Sequence, residues 1–459
     1  MSEPMSPTGT ARYPLADQAR RAGDYVFTGS QTPHDPDTGT LVMRLADLPD
    51  AERRTLATGI LFIDVQSDRI RAQCWRALQN LRAVLAAAGS DWSRIIYLRV
   101  YLRDITDEPT VREVITKLLG ADLSAGEIVG ATNSGASEDI DVQFDAVALS
   151  NDATCERRNI DIPHLAAITA PFAAATRAGA FLFTSMIPGI HPETGEPVNR
   201  LSQLEIHDAA LAKEAGPYTP HVESFVAQHF AMWRIFNSIL KAAGLQESDI
   251  IYYKTWLRRS MREVSHAYLT DIFSKIAGGL FCFTRFPVAA LRRPGTLVEG
   301  RIIALIPQAG APKVIKVPPH GISTFYIGTI EAGPLVITAG EVPIDTAARR
   351  VIEKASDLSD EMRRLAYGRI HREPPIMAQA DYIYGLLGKA LVAHNVGFGD
   401  IVHQSVYLTD ASDFTALERM ACLRFGQKLP PTSIIPILGA SPFTATRVEI
   451  EITARAQLR

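Results

Sequence analysis

The chain has 459 residues, 47% hydrophobic and 21% charged, with 31 Gly and 28 Pro, which is the composition of a globular protein and excludes fibrous or disordered material. Lys and Arg number 47 against 50 Asp and Glu, a formal net charge of −3 with no long run of either sign, so a general nucleic-acid partner is not expected. Cys74, Cys155, Cys282 and Cys422 are scattered without a CxxC pair, and there is neither an apolar leader nor a run of about 18 apolar residues. A cytoplasmic protein with no membrane partner is the expectation.

Taken in chain order, one set of elements comes three times. An Ala-Gly turn precedes an apolar strand at Gly23 (DYVFTG), Gly179 (AFLFTS) and Gly333 (PLVITAG), followed by Pro33, Pro188 and Pro343 at matching places. A polar stretch of roughly 30 residues (about 40–70, 196–221 and 347–375) reads as a loop carrying a short helix. Ala72-Gln73, Ala227-Gln228 and Ala378-Gln379 then open patterns with apolar residues at three- and four-residue steps, which predict helices capped by Gly89, Gly244 and Gly397.

The runs RIIYLRVYL (94–102), DIIYYKTWL (249–257) and DIVHQSVYL (400–408) are β-branched and aromatic and predict strands. A second helix follows each (about 109–119, 262–275 and 413–425), and the units close on VQFDAVAL, VEGRIIAL and VEIEITARA. Three tandem α+β units are predicted, over 1–152, 153–310 and 311–459, with Pro-containing, aperiodic junctions at 151–164 and 307–321.

This order of turn, strand, helix, strand ending YLxD, helix and VEIExxA strand resembles the RidA/YjgF family of enamine and imine deaminases across nearly the whole chain. Family members form chorismate-mutase-like α+β units that assemble as trimers, with sheets inside, helices outside and clefts between neighbours. The resemblance therefore implies an intramolecular pseudo-trimer, monomeric or a low-order homo-oligomer, binding a small carboxylate-bearing substrate and needing no cofactor.

In the family's deaminases an arginine holds the substrate carboxylate and a glutamate of the final strand positions water. A guanidinium fork suits a planar carboxylate, and imine hydrolysis then needs an oriented water. Arg285 and Glu299 match these positions in the second unit. The third unit has Thr432-Ser433 in the arginine region but retains Glu449; the first has Glu127-Ile128 and Gln143.

A family tyrosine and a Ser-Gly pair that approaches the ligand correspond to Tyr326 and Ala339-Gly340, to Phe172 and Ser185-Met186, and to Ala16 and Gly29-Ser30. The resemblance thus implies one composite site between the second and third units. Arg285, Gly340 and Phe172 are its substrate-binding candidates, and Glu299 and Tyr326 its catalytic ones.

His207, His221 and His229 show no ligand spacing, so no metal is expected, and Cys282, between Phe281 and Phe283, reads as a buried thiol. No GxGxxG, P-loop, GxSxG or HExxH motif is present. Two other readings stay open: a non-catalytic binding or scaffold protein, and a chorismate-, carbamate- or amide-type reaction in the same cleft.

Overall fold

The computed structural model describes residues 16–132, 137–214, 218–262, 281–307, 315–317, 327–366, 375–426, 428–439 and 444–457. The chain is mixed α+β. Each Ala-Gly signal is a tight hairpin: in the first, Ala19–Ala22 pairs with Tyr25–Thr28 across two residues, and Gly23 has φ +58°. Gly179 and Gly333 adopt the same left-handed conformation, at φ +54° and +57°, which an L side chain resists.

Three sheets share one strand order. The first runs Ala19–Ala22, Tyr25–Thr28, Val142–Leu149, Ile95–Leu102, Ala125–Gly130, antiparallel throughout except for its last, parallel pair. The second runs Arg157–Ile160, Ala175–Ala178, Phe181–Thr184, Val298–Leu305, Ile250–Arg258, Cys282–Val288, and the third Ile315–Val317, Thr329–Ala332, Leu335–Thr338, Val448–Arg455, Ile401–Leu408, Thr432–Pro436. In each, the YLxD run is the central strand that pairs with the closing strand and the parallel edge strand.

Long amphipathic helices cover one face of each sheet: Asp68–Ala87, Pro220–Ala242 and Pro375–Val392 bury their apolar stripes there. Gly89 and Gly244 cap the first two with φ near +70°, as their spacing predicts. The third differs: Asn395 takes the left-handed position at φ +57°, and Gly397 is extended. Asn tolerates that region because its short polar side chain bonds locally.

The polar stretches carry the short helices Asp50–Leu56, Leu61–Gln66, Ile206–Glu214 and Asp360–Ala366. The second helices are Glu108–Leu119 and Phe414–Phe425, and the one expected over 262–275 lies almost wholly outside the described residues.

The uncovered sheet faces pack on one another. One shared cluster holds Phe27 and Tyr97 of the first sheet, Phe183 and Tyr252 of the second and Ile337 and Val402 of the third. Another gathers the equivalent central-strand aromatics Tyr101, Trp256 and Tyr407, each a burial of ~150–250 Å². Residues flanking each hairpin also bond to the edge-strand region of another unit. Met186 N donates to Gly126 O, Ile327 N to Phe281 O and Ser30 N to Thr432 O, so the third unit holds the first as the first holds the second.

Polar residues lie at the middle of this packed centre. The register sets Arg99 against Asp145, Lys254 against Arg301 and Ser405 against Glu451 at one level of the three sheets. Arg99 pairs with Asp145, whose Oδ2 also accepts from Ser433 Oγ at 2.6 Å. Lys254 Nζ reaches across to Glu451 Oε1 at 2.7 Å, and Tyr407 and Tyr252 donate to the same carboxylate at 2.5 and 2.7 Å.

Arg301 lies 3.4 Å from Glu127, which also accepts from Trp256 Nε1. Although burial raises it, Glu451 is brought down to about 2, chiefly by the Lys254 charge and then by its hydrogen bonds. It stays ionised at neutral pH and ties the second sheet to the third.

Removing one partner of a buried pair strands the other charge, at a cost of about 3–5 kcal/mol, whereas replacing both with apolar groups is far milder. Lys254→Met is therefore expected to lower the urea midpoint markedly, and Lys254→Met with Glu451→Leu to recover most of it. Equal losses in the single and double variants contradict the assignment.

Candidate functional site

The edge strand Cys282–Val288 of the second sheet lies against the segment that follows the third hairpin. Gly340 N donates to Thr284 Oγ1 at 2.9 Å. A Cβ at Gly340 would overlap the Glu449 carboxylate and stand 3.0 Å from Thr284 Cγ2, so only glycine leaves room where the two units meet.

Alternation along the edge strand sends Thr284 to the packed centre and Arg285 to the helix-covered face, paired with Thr255. The equivalent pairs in the other sheets are Val100 with Ile128 and Val406 with Ile434. A Thr and an Arg thus replace a Val and an Ile at an interior position of the second unit. Arg285 is 9% exposed, its guanidinium lies 5.9 Å from the Phe283 ring centroid, and Thr255 Oγ1 is buried without a hydrogen-bond partner.

Three ionisable groups adjoin this arginine or its glutamate. Glu449 is buried, and its Oε2 has no hydrogen-bond partner. Burial and then the Glu451 charge push its carboxyl well above the ordinary range, against the pull of Arg285. Glu341, next to Gly340, is raised to about 8 by burial. His229, on the Pro220–Ala242 helix, keeps its Nδ1 3.0 Å from Phe225 O, and is lowered to about 4 by burial, with the Arg285 charge adding to the fall. The Arg285 charge thus acts on a carboxyl whose burial raises it above its ordinary range.

The structure brings Gly340, Thr284 and Glu449 together, and the Arg285 charge acts on Glu449 from the neighbouring strand position, whereas Glu299 lies elsewhere. Glu299 pairs with Trp256 and so projects from the face opposite Arg285. Its Oε1 accepts from Arg293 N at 2.9 Å and Thr296 Oγ1 at 3.2 Å, and the cation acting on it is Arg292, which bonds Glu108 of the first unit. The expected grouping of Arg285 with Glu299 is corrected for that reason: each unit offers its edge strand to one neighbour and its final-strand residue to the other.

Phe172 also lies elsewhere, in the core of the first unit. Its ring atom Cε1 sits 2.8 Å from where a Gly126 Cβ would be. Tyr326 lies outside the described residues.

The other two interfaces are lined differently. Between the first and second units, Ser185 Oγ accepts from Gly126 N at 3.0 Å, with Phe172 on the same glycine. Between the third and first, Gln143 Nε2 donates to Ile434 O at 2.7 Å, and a Gly29 Cβ would lie 2.9 Å from Thr432 N. The usable glutamate, Glu449, was visible in the sequence as the retained final-strand residue of the third unit. What spacing did not reveal is which interface it faces.

Among the described residues no group of three His, Cys, Asp or Glu is placed to hold a metal, and no helix is long and apolar enough to cross a membrane. The model of a family described as Endoribonuclease L-PSP matches residues 57–149 and 321–456, on either side of the second sheet. A RutC family protein of Pyrococcus abyssi is 25% identical over 131 residues, 28% of this chain and 83% of that protein.

Among solved structures, RidA from an Antarctic Psychrobacter is 21% identical with a TM-score of 0.23, over 30% of this chain and 94% of its own. A chorismatase is 12% identical with a TM-score of 0.41, over 79% and 93%.

Gly340→Ala tests the cleft sterically. The Glu449 carboxylate is a movable side-chain end, so the fold tolerates the methyl while the carboxylate is displaced. The expected result is an unfolding midpoint close to wild type with binding of a small carboxylate such as pyruvate weakened at least about 10-fold, ~1.4 kcal/mol. Unchanged binding contradicts the placement.

Proposed function

Because the chain belongs to the RidA/YjgF family, we propose that it hydrolyses the C=N bond of a small imine or enamine carboxylate in the cleft between its second and third units. In this reading the units 1–152, 153–310 and 311–459 act as an intramolecular pseudo-trimer of which one interface is catalytic. The observation that carries it is Arg285, a guanidinium where both sister units have isoleucine, whose charge acts on Glu449, a buried carboxyl raised above its ordinary range with its Oε2 lacking a hydrogen-bond partner.

Arg285 holds the substrate carboxylate through two parallel N–H···O bonds. Glu449 gives its proton to the imine nitrogen, or to the enamine carbon in forming the imine, and water adds to the C=N carbon. The resulting carboxylate takes a proton from the adduct as ammonia leaves and the carbonyl forms, so one group serves as acid and then base. Imine and water become ketone and ammonia, with no change in oxidation state and no cofactor. Gly340 keeps the wall open, and Tyr326 is assigned to the same pocket. Glu299 and Phe172 are assigned to packing between the first and second units.

The test is ammonia release from imino acids generated in situ by an amino-acid oxidase, above the spontaneous rate. Glu449→Gln should lose about 10²–10⁴-fold, and Arg285→Ala should raise KM strongly. Glu449 works as its acid, so the wild-type rate should fall as pH rises through its elevated pKa and hold at lower pH. Acceleration that survives in both variants overturns the proposal, and no acceleration by the wild type favours a binding role.

A further inference from the structure

A second site lies away from this cleft, where the three sheets meet. A cavity of about 50 Å³ opens between them, space for one or two waters at ~30 Å³ each or for a molecule of a few heavy atoms. Its lining combines apolar residues, among them Phe27, Phe183 and Ile337, with the polar Arg301, Tyr97, Ser405 and Glu451.

The polar lining is rich in unused donors. Arg301 is 4% exposed, and its guanidinium stands over the Tyr97 and Tyr252 rings, 4.8 and 5.3 Å from their centroids. It makes no hydrogen bond to any described residue, and its Nε is left 3.4 Å from Glu127 without bonding geometry. Tyr97 OH and Ser405 Oγ, both buried in the same lining, also lack partners. By contrast Arg99 is bound to Asp145, and Glu451 has both oxygens occupied by Lys254, Tyr407 and Tyr252. Three donors facing one small space call for a ligand that only accepts, and buried polar groups are rarely left unmatched.

We propose that this central cavity binds a small monocarboxylate of acetate size, its two oxygens on the Arg301 fork and the Tyr97 and Ser405 hydroxyls and its methyl toward Phe27, Phe183 and Ile337. The site is separate from Arg285 and does not depend on the deaminase reading. A ligand here touches all three sheets and stabilises their assembly by mass action.

The test is thermal unfolding of the intact protein in rising sodium acetate against sodium chloride at equal ionic strength and pH. The midpoint is expected to rise with acetate and saturate. The rise should persist in Arg285→Ala, which empties the cleft, and require at least 10-fold more acetate in Ser405→Ala and Tyr97→Phe, which remove a donor with little change of volume. Arg301→Lys, which keeps the charge but loses the fork, should weaken it likewise. A rise that disappears in Arg285→Ala, or crystals in acetate showing only water in the cavity, overturns the proposal.

Discussion

The Lys254–Glu451 pair is the interaction on which the arrangement of the three sheets turns. It sits at a level of the packed centre that three identical units would fill with three identical charges. Here the level carries Arg99 and Asp145, Lys254 and Arg301, Ser405 and Glu451, so every unit presents a different combination to its neighbours. Lys254 finds Glu451, Arg99 finds Asp145 with Ser433 beside it, and Arg301 faces Glu127. These contacts tie each sheet to its neighbours through different residues. Apolar contacts among Tyr101, Trp256 and Tyr407 supply area but do not discriminate between orders of assembly.

The same divergence separates one interface from the other two. Phe172 and Ser185 line the first, Gln143 and the Gly29 backbone line another, and Gly340 meets Thr284 and Glu449 in the third. Burial, followed by the nearby Glu451 charge, raises the Glu449 carboxyl above its ordinary range. The charged centre between the sheets thus also acts on Glu449.

Much of this was legible in the sequence. The Ala-Gly pairs marked hairpins because a two-residue turn needs a left-handed residue, and the Ala-Gln helices and YLxD strands followed from periodicity and branching. Asn395 escaped because a left-handed Asn leaves no glycine to find. The grouping of Arg285 with Glu299 failed since spacing within a unit says nothing of which face or neighbour a side chain meets. The central charges did leave a signal: Arg99, Lys254 and Glu451 interrupt apolar strands at the inward positions.

The most direct measurement is a crystal structure of the wild-type protein soaked with pyruvate, the product class of the proposed reaction. The account predicts ligand density in one of the three interfaces, with its carboxylate on Arg285 and its carbonyl toward Glu449. Density beside Glu299 between the first and second units, or equal density in all three interfaces, would contradict it.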